Sequence, residues 1–480
     1  MEINKELIQK AYKKLKSSVY YDKTQLALRN KIVEFEHKYP DVRLDKYLEK
    51  IYKALKDDNE FDKLANLICK KVSVTSLPKT LARNDKDIIS NFTSNEIIIS
   101  QLQHYIDMPV EGHIIGVLWI MLLGYRIDKT IYEYSYGNRI RKNLINEFSE
   151  EPTYSPYLFE PYFEQYESWR DNAMAEAEKH MSKNQDVVII TMDFRRYYYS
   201  LDIDENLMSS LLQEAILEED TDEYKKICHR INLFVGRIIS EYSRCFGNAF
   251  KGKRILPIGF LPSNIIGNWC LNRFDKAIID GWNPVYYGRY VDDILIVDKV
   301  ERNSDIQIKA KSGELTKENI IEFFLTNCSR WNGFKSLDRN NAEKYAIIEE
   351  NAALTKLAQE EAEQNGISKQ CKVYSINRYY NPSQNNKSEI IVQNDKVKIF
   401  YFKHDESDAL IKCFKNNISK NKSEFRHLPE DEAVFQKDDY SDIYVLSNND
   451  TLNKFRGIDG ISLDKFELSK FLGKYLRIGG

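Results

Sequence analysis

The stretch GRYVDDILIVDKV, residues 288–300, sets two adjacent carboxylates inside an apolar run. Tyr290 and Val291 precede Asp292 and Asp293, and Ile294, Leu295, Ile296 and Val297 follow them. Burying an unpaired carboxylate costs several kcal/mol, and the usual remedies are a partner charge or a metal. Strand-forming residues flank the pair on both sides, so the simplest geometry is a β-hairpin with the acids at its turn. Asp is also an ordinary turn residue. Taken alone, the pair does not separate an Asp-rich turn from a functional site.

A second acid changes the balance. The β-rich run QDVVIITMDF, residues 185–194, ends on Asp193. If the two strands are neighbours in one sheet, Asp193 sits beside the hairpin turn. Three carboxylates then converge and repel one another unless divalent cations lie among them. Magnesium favours hard oxygen ligands and leaves positions open for substrate phosphates. Two such ions about 4 Å apart can clamp an in-line phosphoryl transfer.

The rest of the chain bounds this reading. Its 480 residues suggest roughly three domains or subdomains. A formal charge of −3 does not announce nucleic-acid binding, so any positive field must be local. Seven cysteines stand singly at 69, 228, 245, 270, 328, 371 and 413, without a CxxC pair. They read as reduced thiols without a zinc site, and Cys228-His229 reads as packing. The N-terminus is charged throughout and lacks a signal-peptide core. IIGVLWIMLLG, from Ile114, is shorter than the roughly 20 residues a bilayer needs and reads as a buried helix. The expectation is a cytoplasmic protein with no membrane partner.

Residues 1–72 show helical spacing at Leu7, Ile8, Ala11, Tyr12 and Leu15, as expected of an amphipathic helical appendage. Pro78 breaks that period, and a mixed region follows to about Glu150. YFEQYESWRDNAMAEAEKHM reads as a further helix. Strands near 187–194 and 286–298 with helices between them predict an α+β sheet domain. Beyond 300, ENIIEFFLTNCSRW reads as helix, KVKIFYFKH as strand, and DALIKCFKNNISKNKSEFRHLPED as a helix running into a basic turn.

Three blocks resemble the reverse transcriptases. YVDD at 290–293 matches their catalytic hairpin, and DFRRYYYSL from Asp193 matches their first catalytic block. LPIGFLPSNIIGNWCL matches the intervening block through Pro257, Gly259, Ser263, Asn268 and Leu271. One departure is Ile258, where many members carry a Gln that helps to hold nucleotide or template. Viral RNA polymerases place an acid five residues beyond the first catalytic Asp, and this chain has Tyr198 there. A ring at that place should collide with a ribose 2′-hydroxyl and favour DNA synthesis, with Tyr197 and Tyr199 pointing elsewhere. YIDMPVEGHIIGVLWIMLLGYRID, SYGNRIRKN, YFEQYESWRDNA and NKSEFRHLPED are more specifically similar to the bacterial abortive-infection and defence-associated reverse transcriptases, over about 75–430.

That resemblance implies a right-hand palm–fingers fold with a helical thumb. Its expected division is a helical extension at 1–72, fingers at 73–186, palm at 187–350, and palm end, thumb and tail at 351–480. It implies two Mg²⁺, with Mn²⁺ as a substitute, held by Asp193, Asp292, Asp293 and the carbonyl of Phe194. It assigns dNTP contacts to Arg139, with Arg141 in reserve, Tyr198, Gly259 and Lys344. Charge suggests nucleic-acid contacts at Lys251, Lys253 and Arg254 and at Lys420 and Lys422. Tyr475 is a candidate priming residue, since several members start DNA on a tyrosine of the protein itself. The implied partners are RNA, including a structured noncoding RNA, a DNA product, dNTPs and further copies of the chain as a trimer or hexamer; the implied role is phage defence. Two other readings stay open here: an RNA polymerase or terminal transferase using the same site, and a non-catalytic RNA-binding assembly subunit.

Overall fold

Four helices open the chain: α1 (Lys5–Tyr21), α2 (Leu26–Lys38), α3 (Val42–Lys56) and α4 (Asp58–Cys69). The computed structural model describes residues 3–22, 25–40, 42–81, 99–141, 157–321, 347–364, 372–381, 388–392, 397–404, 444–448 and 458–463. Helix α1 starts where the Asn4 side chain accepts from the Leu7 amide, and α4 where Asp57 accepts from Glu60. Such caps satisfy orphan N–H groups of the first turn. Leu7, Ile8, Ala11, Leu15 and Val19 line one buried face of α1. That face packs on α5 (Val110–Trp119) and belongs to the same continuous core as the centre of the chain. The N-terminal helices are therefore not an appendage. Spacing showed the apolar face but not the helix that covers it.

Strands β1 (Ser73–Leu81) and β2 (Ile99–Asp107) form an antiparallel hairpin where the sequence suggested only a break at Pro78. The ladder shifts register just after Pro78, which is how a two-stranded ribbon accommodates a residue without an N–H. The Ile106 amide donates to the Ile258 carbonyl, tying the hairpin to the 256–260 loop. Helix α5 runs on through a π-helical turn, Ile120–Gly124, to Asp128. Among the described residues one helix, Val110–Asp128, is long and apolar enough to cross a membrane, and 83% of its apolar window is buried inside the protein.

The central sheet has the order β4-β5-β3-β8, all antiparallel, from β3 (Val187–Asp193), β4 (Tyr286–Tyr290), β5 (Asp293–Lys299) and β8 (Lys398–Phe402). The short β6 (Ile348–Glu350) and β7 (Tyr374–Ile376) pair separately. Alternate residues of a strand face opposite sides. Val187, Ile189, Leu295 and Val297 meet Trp169, Ala173 and Met174 of α6 (Tyr162–Met181). Val188, Ile190, Met192, Ile294 and Ile296 join the larger core with α7 (Glu205–Ala215), α8 (Asp222–Arg244) and α9 (Pro262–Cys270). The architecture is α+β: a helical mass around small antiparallel sheets.

Candidate active site at the sheet edge

Asp193 is the last residue of β3 and stands opposite Asp293 in the ladder. Tyr290 pairs with Asp293 across the hairpin, so Val291 and Asp292 alone make the turn. Opposed Cα atoms in an antiparallel pair are about 4.5–5.5 Å apart. Two acids separated by 100 positions are thus side by side at one sheet edge. Asp193 is buried, while Asp292 and Asp293 are half-buried.

The neighbours of the two adjacent acids differ. Burial and then the Asp293 carboxylate push the Tyr166 phenol above its ordinary pKa. Burial and then Asp292 do the same to Tyr198. The adjacent pair therefore faces two groups of aromatics, one around α6 and one on the short helix Tyr197–Ser200. Among the described residues no three acidic, histidine or cysteine side chains are already grouped as a ready-made metal-ligand set. The donors at this edge are all hard carboxylate oxygens. That chemistry suits magnesium, which is commonly held by one or two carboxylates and completed by substrate phosphates and water.

A buried network lies behind the turn. Arg289 and Asp275 form an ion pair at 2.7 Å, both side chains wholly buried. The guanidinium also donates Nε to Asp275 Oδ1 (2.9 Å), Nη1 to Asn268 Oδ1 (3.0 Å) and to the Val291 carbonyl (2.7 Å), and Nη2 to the Asn268 carbonyl (3.2 Å). All five N–H groups of the arginine are thereby matched. The Tyr287 hydroxyl adds a bond to Asp275 Oδ1, and the Asn268 amide donates to the Gly137 carbonyl. Removing one partner of such a pair costs about 3–5 kcal/mol. Sequence reading missed this network. Its signal was a lone charged residue inside the otherwise uncharged strand Tyr286–Tyr290.

The remaining site residues fall in several places. The Phe194 side chain is core, against Phe274 and Tyr197, and its backbone bridges to Val392. The three tyrosines diverge: Tyr197 donates to the Gly267 carbonyl, Tyr199 stacks on Phe250, and Tyr198 donates to Asn264 Oδ1 at 3.2 Å. The Tyr198 ring lies against Gly267, where an added Cβ would approach it to 3.0 Å. Gly259 has φ +86°, and its open side is covered by the Gln25 amide and the Tyr105 ring. Gln25, from the start of α2, is another contributor that the sequence did not announce.

Arg139 is a correction. Its guanidinium donates to Asp128 Oδ1 and to the carbonyls of Asp128, Tyr132 and Ser135. Four of five N–H groups hold the 128–139 loop, so the side chain is a loop clasp and not a grip for triphosphate. Arg141, half-buried, lies over the Tyr157 ring at 5.1 Å. Around the KGKR turn, Arg254 pairs with Glu205 at 3.0 Å. Lys253 is half-buried, and burial lowers its pKa against the pull of Glu389 and Asp202. Only Lys251 of that trio is exposed. The Arg254–Glu205 pair is solvent-exposed and holds the guanidinium only weakly. Lys344, Lys420, Lys422 and Tyr475 lie outside the described residues. Cys69, Cys228 and Cys270 are buried free thiols and Cys245 is an exposed one. Burial pushes the Cys228 thiol up to about 12, which removes it as a nucleophile. The chain matches no protein-family model and no curated protein.

Proposed function

We propose that this chain is a reverse transcriptase, an RNA-directed DNA polymerase of the bacterial defence-associated kind, built as palm, fingers and thumb. The observation that carries the reading is the register of Asp193 opposite Asp293, with Asp292 in the adjoining two-residue turn. A strand-end acid beside an acidic hairpin supplies, at one place, the carboxylates that a two-metal phosphoryl transfer uses. Asp193, Asp292 and Asp293 would hold Mg²⁺, with the Phe194 carbonyl as a further oxygen donor. When bound, the metal supplies a Lewis acid for the attacking hydroxyl and for the departing pyrophosphate.

The chain's own residues supply the rest. The sheet edge fixes the spacing of the two opposed acids before any substrate arrives, which is the benefit of a site built on strands. Tyr198, held by Asn264 and backed by Gly267, sets a ring near Asp292, where it would collide with a 2′-hydroxyl. Arg141, the reserve choice, would take the triphosphate role, since four of the five Arg139 N–H groups hold its own loop. RNA as template and a role against phage rest on the resemblance of the sequence blocks alone.

The test is nucleotide incorporation by purified protein. Asp292→Ala with Asp293→Ala should abolish incorporation of labelled dNTP on an RNA template while the protein melts as a folded chain. Incorporation retained by that folded double variant refutes the assignment. Efficient NTP incorporation by the native chain would favour the RNA-polymerase reading instead.

A further inference from the structure

Val291 has φ +60°. A β-branched residue in the left-handed region is a genuine outlier, and such backbone persists only where its surroundings impose it. Two contacts do so here. The Arg289 guanidinium donates to the Val291 carbonyl at 2.7 Å. Gly137 lies directly under the turn: a Cβ there would fall 2.7 Å from Val291 Cγ2, 2.8 Å from Val291 N and 3.2 Å from the Tyr290 carbonyl carbon.

The segment that carries Gly137 is itself tied to β4. The Tyr136 amide donates to the Arg289 carbonyl at 2.7 Å and the Arg289 amide donates to the Tyr134 carbonyl at 3.0 Å. Asn268 closes the loop, accepting from Arg289 and donating to Gly137 at 2.6 Å. Three separate segments, 134–137, 268–275 and 289–291, thus lock one peptide.

We infer that Gly137 and Arg289 are positioning residues: together they force the Val291 turn into its left-handed form and so set the Asp292 and Asp293 carboxylates for a divalent cation. The inference rests on the proposed two-metal reading. It also gives SYGNRIRKN a different duty from the one its resemblance implied, a brace for the turn through Gly137. Ligand-orienting partners outside the metal's own shell typically account for roughly 10- to 100-fold in metal affinity.

The experiment is Mn²⁺ titration of the full chain, with bound ion read by electron paramagnetic resonance and melting followed in parallel. Gly137→Ala is the principal variant. Gly137 is not among the residues with positive φ, so its backbone accepts alanine, and the collision with the turn is the main effect. Gly137→Ala should weaken Mn²⁺ binding roughly 10-fold or more. Arg289→Lys, which keeps the charge toward Asp275 but loses the fork onto Val291 and Asn268, should do the same; if it does not fold, Gly137→Ala decides. Leu211→Ala, a core truncation in α7, is the matched control: it should lower the melting temperature and leave Mn²⁺ affinity unchanged. Unchanged affinity in Gly137→Ala overturns the brace and leaves the carboxylate reading standing. Native protein that binds Mn²⁺ no better than an Asp193→Ala, Asp293→Ala variant overturns both.

Discussion

Tyr198 concentrates the residue-scale question, because in the proposed reading its ring is the group that would decide between sugars. Its hydroxyl is anchored on Asn264 and its edge on Gly267, so it cannot swing aside without losing a hydrogen bond and packing. Tyr198→Ala should let ribonucleotides compete: the ratio of dNTP to NTP incorporation should fall by at least about 10-fold, which corresponds to about 1.4 kcal/mol of discrimination. Steady-state incorporation with each substrate checks this, and an unchanged ratio would remove Tyr198 from the selectivity role. At this scale the sequence was legible for the meeting of Asp193 with the 292–293 hairpin and for Tyr197 and Tyr199 pointing away from Tyr198. It was not legible for Arg139. A motif names a basic residue but not the carbonyls of Asp128, Tyr132 and Ser135 that consume its donors. Arg289 was hidden for the opposite reason: a charged residue in a strand reads as outward-facing until a buried partner such as Asp275 is seen.

Among the elements, the hairpin 286–299 and the strand 187–193 were readable because short, β-branched apolar runs and the terminal acids fix both their type and their ends. The β1–β2 ribbon was not, since Pro78 and many polar residues disguise its period. Helix α1 was readable as a helix but not as part of the core, because an amphipathic stripe does not name its mate. Burial now gives α1 a measurable weight. Leu15 is fully buried, and Leu15→Ala should cost about 2–5 kcal/mol. Denaturant unfolding monitored by two probes should show that loss in one cooperative transition. A loss confined to a separate early transition would mean that the N-terminal helices unfold on their own.

At the scale of the whole molecule, one buried imidazole couples the fold to pH. His113 on α5 is enclosed beside Phe260, and burial, reinforced by Lys31 and opposed by Asp107, pushes its pKa down to about 3. The unfolded chain titrates near 6.5 and so binds the proton more readily. The stabilisation is therefore complete above about pH 6.5 and is lost as the pH falls toward 3. Between pH 7 and pH 5 this amounts to about 2 kcal/mol, and His113→Leu should flatten that part of the stability profile. An identical pH slope in the two proteins would show that His113 is not the group responsible. The proposed metal site stands on the sheet edge where Asp193 meets Asp293, and the decisive experiment is a crystal grown with Mn²⁺ and a non-reacting dNTP analogue. An anomalous peak within about 2.5 Å of carboxylate oxygens from both Asp193 and the 292–293 pair is the expected result. Manganese bound elsewhere, with that edge free of anomalous density, would contradict it.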